Sequence, residues 1–157
     1  METDAYDAAQ SIFRGTFDLA DIVFLIILLF LLLCSALASA SEVAYFSLSP
    51  GELEKLKEKG YDKVANLHQK PNLLLSTILI TNNFVNVGIV ILSTYLVNSL
   101  FDFLGNPVLG FIIQVIGVTF IILLFGEIIP KLYANRSQVK MAIFMAGPLT
   151  FLTYLFR

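Results

Sequence analysis

Apolar residues in this chain fall into long runs separated by short polar stretches. A helix needs about 20 apolar residues to cross roughly 30 Å of hydrocarbon, and there only a helix or a closed barrel satisfies its own backbone. Three runs reach that length: 22–46, 73–96 and 108–129, the last helix carried on to 131. A fourth, 141–156, is shorter and is broken by Gly147-Pro148. It fits a bent crossing, a re-entrant segment or a helix lying at the interface, so the 137–157 tail is read as an interfacial belt or re-entrant helix. The expected fold class is an all-α membrane protein: three transmembrane helices plus juxtamembrane and interfacial helices.

The polar stretches supply the orientation. Segment 50–68 opens on Ser49-Pro50, a helix-start signal, and its Glu-to-Lys spacings support a solvated helix at the membrane edge, with Gly60 as a stop. It carries Lys55, Lys57, Lys59 and Lys63, with Lys70 just beyond, and Lys131, Arg136 and Lys140 follow the third run. The N-terminal 1–20 segment has Arg14 alone against four acidic residues, and the 97–107 loop has only Asp102. Because Lys and Arg stay on the cytoplasmic side, the N-terminus is placed outside and the C-terminus inside an inner or plasma membrane.

Composition agrees with a membrane solvent: 57% of the 157 residues are hydrophobic and 14% charged. A net charge of −2 offers no basic surface to a nucleic acid. Cys34 stands alone, so no intramolecular disulfide can form, and it reads as a small packing residue. The acidic start lacks a positive n-region, so the first run is expected to be retained. The chain stops at Arg157 just after an apolar stretch, and further domains are expected beyond it.

Ionisable and amide groups are costly inside a span, so each is a candidate for function. The first run ends in the small-residue stretch Ser35-Ala-Leu-Ala-Ser39-Ala-Ser41-Glu42, which lets a second backbone approach closely. Ser39 and Ser41 either bond back to their own helix or face a ligand. The second run holds Asn82, Asn83 and Asn86. Asn82 and Asn86, four apart, share a face while Asn83 turns partly away; the pair is either an interhelical hydrogen bond or two neutral oxygen ligands. The third run contains Gly126-Glu127-Ile-Ile-Pro130-Lys131. Pro130 has no N–H and cannot serve the Gly126 carbonyl, so a bare oxygen beside a carboxylate and a kink or widened turn are expected. An ordinary proline kink with Glu127 paired to Lys131 is the competing reading.

Hydroxyl, carboxamide, carboxylate and carbonyl oxygens are hard donors suited to Mg²⁺, Ca²⁺ or Na⁺. His68, in the polar connector, reads as a surface residue. The spans hold no base to activate a serine, and the chain has no glycine-rich phosphate loop, so no enzyme is expected.

The segments Ser39-Ala-Ser-Glu42-Val-Ala-Tyr-Phe-Ser-Leu-Ser49, Thr81-Asn82-Asn83-Phe-Val-Asn86-Val and Gly126-Glu127-Ile-Ile-Pro130-Lys131 resemble, in order, the signatures of the DUF21 transmembrane domain. That domain belongs to the CorC/CorB and cyclin-M (CNNM) magnesium transporters, and the resemblance covers nearly the whole chain. It implies a homodimer of three-helix modules around one dehydrated Mg²⁺, with Na⁺ as a possible exchange ion. It also implies cytoplasmic CBS domains in longer members, none of which lie in these 157 residues. The ion would be held by Ser39, Asn82, Asn86, Gly126 and Glu127, with Ser41, Glu42, Asn83, Pro130 and Lys131 as pathway or counter-ion residues. Ala38 stands where the family often has a bulkier aromatic, which leaves the ligands intact but alters the cavity shape. From Gln138 onward the tail resembles the family's interfacial belt. The leading expectation is a secondary transporter of divalent cations exporting Mg²⁺. The alternative is a non-transporting dimeric anchor or sensor for the CBS domains.

Overall fold

The structure, a computed structural model, describes residues 18–101 and 107–156. The chain before Asp18, Asp102 in the 97–107 loop and Arg157 lie outside the described residues. The acidic N-terminal residues and Asp102, from which the outside face was assigned, fall mostly there.

Three helices among the described residues are long and apolar enough to cross a membrane: α1 (Leu19–Phe46), α4 (Pro71–Leu100) and α5 (Pro107–Arg136). At 1.5 Å per residue each is about 42–45 Å long, more than the roughly 30 Å hydrocarbon core, so their ends stand among headgroups. Each also outruns the apolar run that announced it, because polar residues finish the terminal turns. At the start of α1, Asp18 accepts from the Leu19 N–H at 2.7 Å and the Asp21 carboxylate accepts from the Asp18 N–H at 3.1 Å, a reciprocal cap.

The 50–68 segment forms two helices rather than one: α2 (Pro50–Glu58) and α3 (Asp62–His68). Gly60 sits at φ +81°, a left-handed conformation that a side chain resists, and this turn breaks the segment. The tail forms α6 (Gln138–Leu155), with Pro148 inside it. The Tyr45 hydroxyl, at the end of α1, donates to the Ala142 carbonyl at 2.9 Å. Thr150, Thr153 and Tyr154, eight to twelve residues further along α6, border Leu73 and Leu74 at the start of α4. Both halves of α6 therefore meet the same end of the bundle.

That end carries the main core. Ala44, Tyr45, Leu56, Val64, Leu74, Ile78, Ala134, Ala142 and Leu149 are all buried in one cluster drawn from all six helices. Burying a large apolar side chain from water contributes about 1.5–3 kcal/mol, so the water-facing end gains most from close packing. A second, smaller cluster, Val85, Ile89 and Ile122 with Leu28, Leu31 and Leu32 against it, joins α1, α4 and α5 deeper in the bundle. Lipid is as apolar as leucine, so here contact comes from close fit and polar pairing rather than from escape from water.

Candidate ion site

The second half of α1 alternates small residues with buried positions: Ser35, Ala38, Ser39, Ala40, Ser41 and Ala44 are each at most 4% exposed. Its first half is mostly exposed to the surroundings of the bundle. Small side chains bring α4 and α5 close to α1 here, and polar groups from the three helices converge at that approach.

At its centre is Ser35. Its Oγ lies 2.9 Å from Asn82 Oδ1 and 2.7 Å from Asn86 Oδ1. A hydroxyl has one proton and can satisfy only one of two acceptors at a time. The hydroxyl thus links two carboxamides of α4 to α1 at one point. Gly126 closes the cluster from α5: a Cβ placed on it would fall 3.0 Å from Ser35 Oγ. Only glycine permits this approach without displacing the serine.

One turn along α1, Ser39 is 1% exposed and its Oγ has no hydrogen-bond partner among the described residues. An unserved buried hydroxyl costs about 1–3 kcal/mol, so its presence calls for a ligand. Ser41, equally buried, is satisfied by donating to the Leu37 carbonyl at 2.6 Å and faces elsewhere. Ser35, Ser39 and Glu42 follow the i, i+4, i+7 spacing of one helical face. Glu42 ends that polar line, pairs with Lys131 Nζ at 3.1 Å, and helps line a cleft with Val43, Phe46, Ser47 and Leu75.

Around Gly126 the helix widens into a π segment, Ile122–Ile128, and a second such segment spans Ile113–Gly117. The widened turn expected beside Pro130 is therefore present, and Pro130 can serve neither the carbonyl four residues back, Gly126, nor the one five back, Phe125. Lys131 is paired with Glu42, not with Glu127. Glu127 is half-buried and has neither a hydrogen bond nor an ion pair among the described residues. An unpaired carboxylate in a spanning helix is expensive and marks a candidate functional position.

The residues singled out from sequence thus divide. Asn82, Asn86 and Gly126 meet at one point. Ser39 lies a turn away on the same face, and Glu127 is adjacent in sequence to Gly126 without touching the cluster. Asn83, turned partly away from that face of α4, is exposed. Ser35, which the sequence reading placed only in a packing stretch, holds the central position; its four-residue spacing from Ser39, mirroring Asn82 and Asn86, is the signal that could have marked it. A further polar pair also escaped notice: Asp21, 3% exposed, accepts from the Ser99 hydroxyl at 2.7 Å and ties α1 to the far end of α4. Outside the spans, Glu52 is held below the ordinary glutamate value. The Ser49 hydroxyl bond is the largest cause, followed by the Ser49 N–H and the Gln138 amide of α6.

No group of three or more His, Cys, Asp or Glu side chains clusters among the described residues. The donors on offer are mostly neutral oxygens, which fits a hard, weakly held cation.

Residues 26–157 match the family model described as the cyclin M transmembrane N-terminal domain. A UPF0053 protein of Haemophilus influenzae is 36% identical over 134 residues, covering 83% of this chain and 31% of that protein. The UPF0053 inner membrane protein YfjD of Escherichia coli is 31% identical, covering 75% and 28%. A Caenorhabditis elegans protein named metal transporter cnnm-4 is 31% identical, covering 71% of this chain and 25% of its own length. The chain therefore spans about a third or less of these relatives, and, with most of its length matched by the family model, it belongs to the cyclin M transmembrane domain family.

Proposed function

We propose that this chain is the membrane domain of a secondary transporter of divalent cations, exporting Mg²⁺ across the inner membrane in exchange for Na⁺. The observation that carries the proposal is the polar cluster of Ser35, Asn82 and Asn86 beneath Gly126. A cation at that point would take the hydroxyl oxygen and both carboxamide oxygens as ligands. Mg²⁺ takes about six oxygens at roughly 2.0–2.1 Å. Ser39, Asn82, Asn86, the Gly126 carbonyl and the Glu127 carboxylate supply five, and Ser35 or a water completes the shell.

One carboxylate leaves a bound Mg²⁺ with net positive charge, so the ion is held loosely enough to leave. Glu42 and Lys131 stand at the mouth of the polar face, where breaking their ion pair would admit the cargo from the basic, cytoplasmic end. Rocking of α4 and α5 against α1 would then open the other side, with the N-terminus outside. Relatives named metal transporters support the cargo class. The working unit is taken to be a homodimer with CBS domains on the cytoplasmic side of the full-length protein.

The test is Glu127→Gln in the full-length protein reconstituted into liposomes loaded with a Mg²⁺-sensitive dye. Flux should fall at least tenfold while the dimer persists. A second reading, a membrane scaffold without transport, draws on the Ser35 hydroxyl bonds as interhelical glue worth about 0.6–2 kcal/mol each. Wild-type flux and Mg²⁺ affinity in that variant would abandon the carrier in favour of the scaffold.

A further inference from the structure

We infer that the basic end of the bundle holds a binding site for an anionic phospholipid headgroup, in a groove between α3, the start of α4 and the second half of α6. The groove has a volume of about 440 Å³. Lys63, Asn66, Lys70 and Tyr154 line it together with the apolar Leu73 and Leu74. No carboxylate among the described residues lines it. Both lysines are exposed and neither has an ion-pair partner among the described residues, whereas Lys131, at the same end of the bundle, is spent on Glu42.

The placement selects a lipid over a soluble anion. Leu73 and Leu74 begin the apolar stretch of α4, at the level where that helix leaves the headgroups for hydrocarbon. A phosphate between Lys63 and Lys70 would thus have its glycerol and acyl chains directed along an apolar wall that continues into the membrane. Tyr154 is exposed at the rim, where an amphipathic ring with a hydroxyl suits the headgroup layer. Two paired cations beside an apolar wall are the recurring design of basic lipid pockets at membrane helix ends. The Thr150 and Thr153 hydroxyls already donate to the Ala146 and Thr150 carbonyls, so the lysines, the Asn66 amide and the Tyr154 hydroxyl are the side-chain donors left for a phosphate. Bound there, the lipid would bridge α3, α4 and α6 and hold α6 against the bundle end.

The experiment uses the full-length protein in nanodiscs of mixed phosphatidylglycerol and phosphatidylcholine, with retained lipid counted by native mass spectrometry. Each lysine near a charged surface is worth about fivefold in affinity, so Lys63→Gln with Lys70→Gln should lower phosphatidylglycerol retention about 30-fold relative to phosphatidylcholine. The paired Lys63→Arg, Lys70→Arg variant should retain it, and Lys55→Gln with Lys57→Gln on α2 should change it little. Enrichment that survives the double glutamine change overturns the site, as does an equal loss from the α2 pair. Displacement of the phosphatidylglycerol by millimolar inorganic phosphate would also overturn it, because the groove would then be a soluble-anion site.

Discussion

Gly126→Ala tests the convergence of the three helices directly. The new Cβ would lie 3.0 Å from Ser35 Oγ and 3.6 Å from Ser35 Cβ. At such a distance the serine must move, and turning its hydroxyl away gives up the bonds to Asn82 and Asn86. The lost hydrogen bonding costs about 0.5–1.5 kcal/mol net, and residual crowding in a packed seam adds about 1–3. Alanine returns about 1 kcal/mol of helix propensity over glycine, so the net destabilisation should be about 0.5–3.5 kcal/mol, small enough for the fold to survive. The ion site has no such compensation. Disturbing the groups that orient metal ligands typically costs 10–100-fold in affinity, and Ser35 bears on two proposed ligands at once. Titration calorimetry with Mg²⁺ on the purified protein should therefore show an affinity loss of at least tenfold, with helical content preserved by circular dichroism. Gly117→Ala is the matched control: nothing lies within 4 Å of a Cβ there, so it should bind Mg²⁺ like the wild type. If Gly126→Ala also bound within twofold of wild type, the close approach would be packing alone and the reasoning from Ser35 would fail.

Three further outcomes are expected. Ser39→Ala removes a buried hydroxyl that has no partner, so the melting temperature should rise by the equivalent of about 1–3 kcal/mol while Mg²⁺ affinity drops; a rise with undiminished binding would remove Ser39 from the site. Tyr45→Phe removes the hydroxyl bond to the Ala142 carbonyl and should destabilise by about 0.5–1.5 kcal/mol, with faster amide hydrogen exchange in α6; unchanged exchange there would show that this bond does not anchor the tail. Because the Glu52 carboxyl is lowered chiefly by Ser49, its contribution is complete above the unfolded value of about 4.3 and is lost as pH falls through the lower folded value. Melting temperature followed from pH 6 to pH 3 should show an acid-side decline that Glu52→Gln flattens, a small effect for an exposed group, and an identical decline in the variant would discount the cap.

Each span could be located from sequence because hydrocarbon imposes one requirement, internal backbone bonding over a fixed thickness, and runs of apolar residues answer it directly. The widened turn at Gly126 was legible for an equally local reason: proline lacks an N–H wherever it stands. Asn82 and Asn86 sharing a face followed from helical periodicity alone. Tertiary structure alone could decide which groups across the seam meet those faces. Ser35 and Ser39 are spaced identically against the same pair, and relative translation of α1 and α4, fixed by side-chain packing rather than by any local rule, put Ser35 between the asparagines and left Ser39 unpartnered. Lys131 lay four residues from Glu127 in sequence, yet it pairs with Glu42 because α1 and α5 converge near their C-terminal ends. The tail is the same case at larger scale: its apolar run with an internal proline fitted several placements, and what holds α6 to one bundle end depends on partners distant in sequence, such as Tyr45, 97 residues from Ala142. Local chemistry names the donors, but the distances that make a cation site are set by how helices far apart in sequence come to rest against one another.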